Sequence, residues 1–476
     1  MMSDQPDRMR IAGRWVAAER SIPVTDPFNE EVIGEVPQAG AGEVEAALDS
    51  AVRGARQMAG LTAAERHDIL RRTAEGLRNR SEDLALTLTR EVGKTIREAR
   101  GEVMRTIQTF TAAAEEAKRI HGQGVPMDAD PRGAGRLGFT LRVPVGVVVA
   151  ITPFNFPLNL AAHKVAPALA AGNSVILKPA TETPLADLRL AAILEQSGLP
   201  EDALNVITGR GDQVGPPLIS DERVRMLSFT GSLDVGRTMT AVPGIRKTTM
   251  ELGSNSAVIV MADADADLAS RRIAAGAFAL AGQVCISVQR VYVQRPIFDR
   301  LVETVCERAG KMKIGDPREE ATDMGPMISQ AAVERAQSWI EEALEAGGKR
   351  VCGGRREGAL LWPTVLTQVP DTCRISSQEA FAPVVMINPV DTLEEAIARV
   401  NDSRYGLQAG IFTGELSGAL RAAREIEVGG VMINEVPTFR VDHMPYGGMK
   451  MSGIGREGLR YAIEEMTEIR LVCFRT

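Results

Sequence analysis

The feature that most narrows the fold of this chain is a change of rhythm near residue 145. From there on, short β-rich runs alternate with helix-length segments rich in Ala, Leu and Asp/Glu. Residues 145–151, 174–178, 204–208, 225–229 and 247–252 read as a first set of strands. A second α/β block follows over about 255–447, with strands at 257–260, 290–294, 384–388, 410–413 and 430–434. This alternation predicts parallel α/β sheets, which take nucleotide-like ligands at their carboxyl edge. The 476-residue length allows about two to four domains.

The flanking segments read differently. Residues 1–40 suggest short strands and turns, punctuated by Pro23, Pro27, Gly34 and Pro37. A helical region spans about 42–120. Within it Thr62 and Glu65 form a capping box, and Ser81 opens a helix ahead of an apolar stripe through Leu84, Leu86 and Leu88. Residues 136–143 have strand composition after a Gly-rich turn, and the tail 463–476 ends in the strand-like EIRLVCF. No internal repeat or low-complexity tract interrupts the chain.

Composition excludes several classes of function. Hydrophobic residues at 44% and charged residues at 25% fit a folded globular protein and rule out wholesale disorder. The net charge of −7 argues against a nucleic-acid coat or a polybasic membrane surface. Five cysteines without a CxxC spacing argue against a disulfide framework or a structural zinc site, and fit a reducing cytoplasm. The four histidines, His67, His121, His163 and His443, show no metal-ligand spacing, so no metal is expected. The start, MMSDQPDRMR, has no leader pattern. The most apolar stretch, VPVGVVVAITPFNFPLNL, carries three prolines and two asparagines and does not read as a membrane span.

One cysteine stands apart by its company. Cys285, in GQVCIS, lies on a turn between an Ala/Gly-rich helix and a strand. Glu251, in MELGSN, ends a strand of the first block. Asn155, in TPFNFP, follows another strand between two prolines that fix its loop. A thiol nucleophile, a carboxylate base and an amide donor together make a covalent site. Cys306, Cys352, Cys373 and Cys473 have no such company and read as inert small apolar residues.

Seven motifs in order carry a resemblance: PFNFP (153–157), GNSVILKPA (172–180), SFTGS (228–232), ELGS (251–254), GQVC (282–285), QEAFAPV (378–384) and PYGGMKMSG (445–453). Over essentially its whole length the chain resembles the aldehyde dehydrogenase superfamily. The resemblance implies that Cys285 attacks the aldehyde carbonyl and that the Asn155 amide and the Cys285 backbone N–H form the oxyanion hole. It also implies that Glu251 activates the water that hydrolyses the thioester. Relatives that pass the acyl group to coenzyme A lack that glutamate, so a free acid is the expected product.

The cofactor implied is NAD or NADP, although no GxGxxG follows a strand; Gly209-Arg210-Gly211 is only a fragment of one. Gly231 and Ser232 open a helix suited to a pyrophosphate. By the resemblance, Lys178 reaches the adenosine ribose, Glu379 holds the nicotinamide ribose, and Phe381 packs on the nicotinamide ring. Thr181 stands where NAD-preferring relatives usually carry a glutamate, with Glu182 next to it. A hydroxyl there does not repel a 2′-phosphate, so NADP use is expected.

For the substrate, Arg105, His163, Phe439 and Arg440 fall at positions facing the aldehyde tunnel. They suggest a small cationic pocket for a short polar or anionic aldehyde. The alternative is that Arg105 and Arg440 pair with protein carboxylates such as Asp442 or Glu102. The stretch PTFRVDHMPYGG resembles the lactaldehyde, phosphonoaldehyde and sulfoaldehyde group. A non-phosphorylating glyceraldehyde-3-phosphate dehydrogenase shares the two arginines. Its pattern, however, has an Arg before the Cys and a Tyr after the Asn, where this chain has Val284 and Phe156. Succinate-semialdehyde dehydrogenase is a further alternative. A non-catalytic protein on the same fold is disfavoured because Cys285, Glu251 and Asn155 are all present. The expected architecture is a Rossmann-like parallel-sheet cofactor domain (1–121 and 145–254), a second α/β catalytic domain (255–447) and a small β oligomerisation element (122–144 and 463–476). The resemblance also implies a homodimer or homotetramer acting on a small-molecule aldehyde.

Overall fold

The computed structural model describes residues 8–242 and 244–476. The start of the chain, where no leader pattern is read, lies outside the described residues as far as position 7. Five parallel strands form the centre of the first sheet, in the order Leu204–Val206, Ser174–Lys178, Val147–Ile151, Val224–Thr230 and Lys247–Glu251. Antiparallel strands close both edges. Met9–Ile11 and Arg14–Val16 lie on one side, and Gly453–Ile454 lies beside Lys247–Glu251 on the other. The second sheet has seven strands, in the order Lys349–Cys352, Thr364–Thr367, Val384–Val390, Arg290–Gln294, Ala257–Val260, Gln408–Phe412 and Gly430–Ile433. All its neighbours are parallel except the first pair.

Burial explains why the strands read so apolar. In Val147–Ile151 and Ser174–Lys178 every residue but Ile151 is buried, because helices cover both faces. One covering helix, Pro157–Ala171, is buried at all of its positions. It ends at Gly172, whose φ of 88° is left-handed.

The helical region resolves into Ala41–Gly60, Ala63–Asn79, Ser81–Val92 and Ile96–Ala117. The Thr62 capping box is formed: Glu65 N–H donates to Thr62 Oγ1 at 3.2 Å, and Thr62 N–H donates to Glu65 Oε2 at 2.8 Å. Thr95 and Glu98 form a second box at the start of Ile96–Ala117. Leu86 departs from the expected stripe. Leu84 and Leu88 are buried four residues apart, whereas Leu86 points the other way and is exposed.

The third sheet is antiparallel. Thr467–Arg475 pairs with Arg136–Pro144 along nine residues, and Gly124–Val125 flanks the latter. It leaves Leu137, Leu141, Ile469, Leu471 and Phe474 exposed. The tail is not strand throughout: 463–465 belong to the helix Leu459–Glu465, and Leu459, Ile463 and Met466 join the core of the first sheet. No helix among the described residues is long and apolar enough to cross a membrane.

A buried ion pair joins the helical region to the loop carrying Asn155. Lys94 and Glu102 are both fully buried and hydrogen-bonded to each other. Lys94 Nζ also donates to Asn155 O at 2.7 Å, and Glu102 Oε1 accepts from Asn159 N–H at 3.0 Å. Removing one partner of such a pair leaves an uncompensated buried charge, which costs about 3–5 kcal/mol. Lys94→Met is therefore expected to lower the denaturant midpoint far more than an exposed substitution such as Arg71→Met, as followed by circular dichroism in urea.

Candidate active site

Strand register sets the stage. At the carboxyl edge of the first sheet Ile151 lies beside both Lys178 and Phe229, and Thr230 lies beside Glu251. The segments that leave this edge therefore carry Asn155, Lys178, Gly231–Ser232 and Glu251 into one region, as the sequence order predicts.

Cys285 reaches the same region from the second unit. It sits in a turn after a strained approach: Leu280, Ala281 and Gly282 have φ of 48°, 51° and 70°. Left-handed conformations of non-glycine residues cost about 1–3 kcal/mol each and persist only where surrounding contacts impose them. Two such contacts are Glu98 Oε1, which accepts from Leu280 N–H at 2.7 Å, and Ile328 N–H, which donates to Gln283 Oε1 at 2.9 Å. Gly282 is the residue the bend needs, because a Cβ there would lie 2.0 Å from the Ala382 carbonyl oxygen.

Asn155 ties its loop to this turn, its Nδ2 donating to Gln283 O at 2.8 Å. A primary amide carries two N–H donors, so one remains for a ligand. The Cys285 backbone N–H has no protein partner among the described residues. The Cys285 sulfur lies 3.0 Å from Tyr446 Oη. Burial pushes the thiol up to about 11, opposed by the Tyr446 hydrogen bond and aided by the charge on Glu379.

Glu251 is buried, and neither carboxylate oxygen has a hydrogen-bond partner among the described residues. Burial raises its pKa well above the ordinary carboxylate value, and Glu457 adds to the rise. Arg440, Lys164 and Arg456 oppose it. A neighbouring ion-pair chain supplies two of these cations. Lys164 Nζ donates to Glu457 Oε1 at 2.8 Å and to Thr230 Oγ1 at 2.6 Å, and Arg440 Nη2 donates to Glu457 Oε2 at 3.0 Å. Burial alone would raise Glu457, but Lys164 and Arg440 outweigh it and hold that carboxyl well below its usual range.

The residues expected to hold a dinucleotide suit one in chemistry, except that the Gly231 N–H is already engaged within the protein. Ser232 caps Leu233–Thr240, its Oγ accepting from Val235 N–H at 3.4 Å, and Gly231 N–H donates to Glu251 O. Lys178 is buried and donates to Pro179 O at 2.8 Å. Burial lowers its pKa to about 8, against the pull of Glu182 and Asp212. Thr181 Oγ1 donates to Gly209 O at 3.3 Å. Glu379 Oε1 accepts from Ser254 N–H at 3.1 Å, and a Cβ on Gly253 would meet its carboxylate at 2.3 Å. Phe381, at φ 48°, meets Phe154 edge-on at 5.8 Å. Lysine, threonine, carboxylate and aromatic ring are the kinds of group that suit a nucleotide with ribose hydroxyls. No group of side chains among the described residues has the make-up of a metal site.

The residues of the expected cationic substrate pocket are largely paired within the protein. Arg440 is buried, paired with Glu457, and stacked 3.7 Å from the centroid of the Tyr446 ring. His163 is 1% exposed, and its Nε2 lies 2.9 Å from Asp442 Oδ1. A carboxylate only accepts, so Nε2 carries the proton, while burial and Arg440 lower the ring's pKa and keep it neutral. Asp442 also accepts from Arg105 at 2.8 and 3.3 Å and from Asn159 at 3.1 Å. Protein carboxylates therefore pair with both arginines, as the alternative reading anticipated, with Glu457 in place of Glu102 for Arg440, while the buried Arg440 Nε and His163 Nδ1 have no hydrogen-bond partner among the described residues. Arg105 also keeps an open side, the more exposed one: its side chain is 31% exposed, its Nη1 has no protein partner among the described residues, and it lies 6.0 Å from the Phe156 ring centroid. Phe439 stands exposed.

Sequence reasoning missed Lys164, Glu457 and Tyr446. The lysine had a readable signal, the one acid or base besides His163 in a helix otherwise made of apolar residues, Asn159 and Pro167. Glu457 had none, since its partners lie 293 and 17 residues away.

Burial raises Glu379 to about 7. A raised carboxyl pKa adds stability that is full below the unfolded value near 4.5 and is lost as pH rises through about 7. Glu379→Gln removes that dependence. Its thermal midpoint relative to the parent should therefore be higher at pH 8 than at pH 5, as measured by calorimetry.

The model of the aldehyde dehydrogenase family matches residues 15–472. A 3-sulfolactaldehyde dehydrogenase of Priestia megaterium is 47% identical over 462 residues, covering 97% of this chain and 96% of its own. The structure of aldehyde dehydrogenase 21 from Physcomitrella patens, in complex with the reaction product succinate, has a TM-score of 0.96 at 42% identity and 98% coverage of both chains. Glyceraldehyde-3-phosphate dehydrogenase GapN from Methanocaldococcus jannaschii, complexed with NADP, has a TM-score of 0.93 at 40% identity, covering 96% of this chain and 100% of that one.

Proposed function

The chain belongs to the aldehyde dehydrogenase family, and from that premise we propose that it oxidises a short aldehyde of the lactaldehyde or 3-sulfolactaldehyde type to the free acid. It is an NAD(P)-dependent aldehyde dehydrogenase. In the proposed reaction the Cys285 thiolate adds to the aldehyde carbonyl carbon, forming a hemithioacetal. The second N–H of the Asn155 amide and the Cys285 backbone N–H receive the developing oxyanion. NAD or NADP, when bound, supplies the hydride acceptor, held through Lys178, Thr181, Gly231, Ser232, Glu379 and Phe381. Glu251 then takes a proton from water as that water attacks the thioester. Its raised pKa makes it a stronger base than an exposed glutamate, so the role fits its burial. Asn155→Ala is expected to lower kcat by roughly 10²–10³ in a stopped-flow assay of NAD(P)H formation, the usual loss for one oxyanion donor.

The observation that supports the substrate class is the open side of Arg105. Asp442 takes one edge of the guanidinium and Nη1 stays free beside Phe156, which suits a hydroxyl or a sulfonate on a small aldehyde. The succinate bound by the Physcomitrella relative favours a second reading, an aldehyde with a carboxylate tail such as succinate semialdehyde. Thr181 supports acceptance of NADP, since no carboxylate occupies its position. The exposed apolar residues of the third sheet support burial against another copy in a homodimer or homotetramer.

Lactaldehyde, 3-sulfolactaldehyde, phosphonoacetaldehyde, succinate semialdehyde and glyceraldehyde 3-phosphate, each assayed with NAD and with NADP, test this reading. Arg105→Ala should lose about 10- to 100-fold more kcat/KM on the anionic aldehydes than on lactaldehyde, the range for a hydrogen bond to a charged group. Equal losses on both remove Arg105 from anion recognition, and a strong preference for NAD removes the inference from Thr181.

A further inference from the structure

We propose that Tyr446 is a catalytic residue: its phenol O–H donates to the Cys285 sulfur and stabilises the thiolate as it forms. The proposal rests on the reading of Cys285 as the nucleophile and adds a donor to it.

The contact is direct, 3.0 Å from Oη to Sγ, and the ring is buried. Tyr446 is held by its backbone on both sides of one residue: its N–H donates to Glu457 O at 3.0 Å, and Glu457 N–H donates to Tyr446 O at 2.7 Å. The face of its ring is covered by Arg440 at 3.7 Å, and Arg440 is itself fixed by Glu457, which Lys164 holds from the other side. The ring therefore cannot turn away from the sulfur without disturbing a buried ion-pair chain. Such a pre-set donor needs no reorganisation when charge appears.

The direction of the hydrogen bond follows from the order of acidities. Burial pushes the phenol well above its ordinary value, with the charge on Cys285 adding to the rise, while the thiol stands at about 11. The thiol ionises first and the phenol keeps its proton, so Tyr446 donates and the sulfur accepts. The groups that bear on the sulfur are Tyr446, Glu379, Arg440 and Glu251. The two carboxylates disfavour the thiolate, and only Tyr446 and Arg440 favour it. The S–H proton leaves to water or to Glu251, the new S–C bond forms at the aldehyde carbon, and the phenol O–H bond stays intact throughout. Arg440 is then a positioning residue: its cation over the ring makes the O–H a better donor.

The test uses the full chain without cofactor or substrate. Alkylation of Cys285 by iodoacetamide is followed against pH by peptide mass spectrometry, which separates it from the other four cysteines. Tyr446→Phe keeps the ring and removes the donor. The alkaline rise in alkylation rate should move up by about one pH unit, the size of a hydrogen bond to a charged group. Replacing all four tyrosines with 3-fluorotyrosine strengthens the donor and should move the rise down, which gives a readout independent of how well the phenylalanine variant folds. A rise at unchanged or lower pH in Tyr446→Phe overturns the proposal, as does an unchanged or upward shift with 3-fluorotyrosine. Cys285→Ala separates the two ideas. Retained aldehyde oxidation in that variant overturns the nucleophile assignment itself, whereas its loss together with an unmoved alkylation profile overturns the role of Tyr446 alone.

Discussion

The Cys285 thiol, which the proposed reaction requires to ionise, is held where burial opposes charge, and its neighbours bear on that conflict. Desolvation lifts Cys285, Glu251, Glu379 and Tyr446 together, so each is neutral more readily than it would be in water. Against this stands Glu457, which is buried yet held ionised by Lys164 and Arg440. Of these two cations, Arg440 favours a negative charge on both Cys285 and Glu251, and Lys164 favours one on Glu251, against the burial and the neighbouring carboxylates that oppose it. A reaction that needs a thiolate first and a carboxylate base afterwards suits such an arrangement.

The same logic organises the neighbouring pairs. Asp442 gathers Arg105, His163 and Asn159, and the hydrogen bonds outweigh the burial that would otherwise raise it, so it stays well below its usual range. Lys94 and Glu102 also pair in the interior, and Lys94 donates to the Asn155 carbonyl. Breaking any of these pairs strands a buried charge, which makes them effective at fixing the loops they join. Positions that the sequence marks as cationic are thus largely structural. Arg440 and His163 are tied to Glu457 and Asp442, each with one buried nitrogen left unpartnered among the described residues, and Arg105 retains a partly exposed edge.

How much of this could be read from residues alone depends on the range of the interaction. The strands at 174–178, 257–260 and 290–294 are found where apolar runs place them, because a strand buried on both faces writes its burial into consecutive residues. The Thr62 box was legible because its two partners are three residues apart. The Thr95 box had the same signature. Phe156 and Val284 could be seen to depart from the glyceraldehyde-3-phosphate pattern, since a motif is a local string. The pairing of Arg440 with Glu457, and of Arg105 with Asp442, could not be assigned in the same way: Arg105 and Asp442 are 337 positions apart. The helix Leu459–Glu465 was also missed, for it is seven residues long, has no capping side chain, and is stabilised by packing in the first core.

The sequence by itself determined the parallel α/β architecture and the family resemblance, and it pointed to Cys285, Glu251 and Asn155 as a candidate chemical set. Those properties are carried by local periodicity and short motifs. Only the tertiary structure decided which charges are free to act. A guanidinium reads the same in a sequence whether it faces solvent, a ligand or a buried carboxylate. Its partner is chosen by the packing of segments hundreds of residues apart, and burial then sets how strongly that partner shifts its charge.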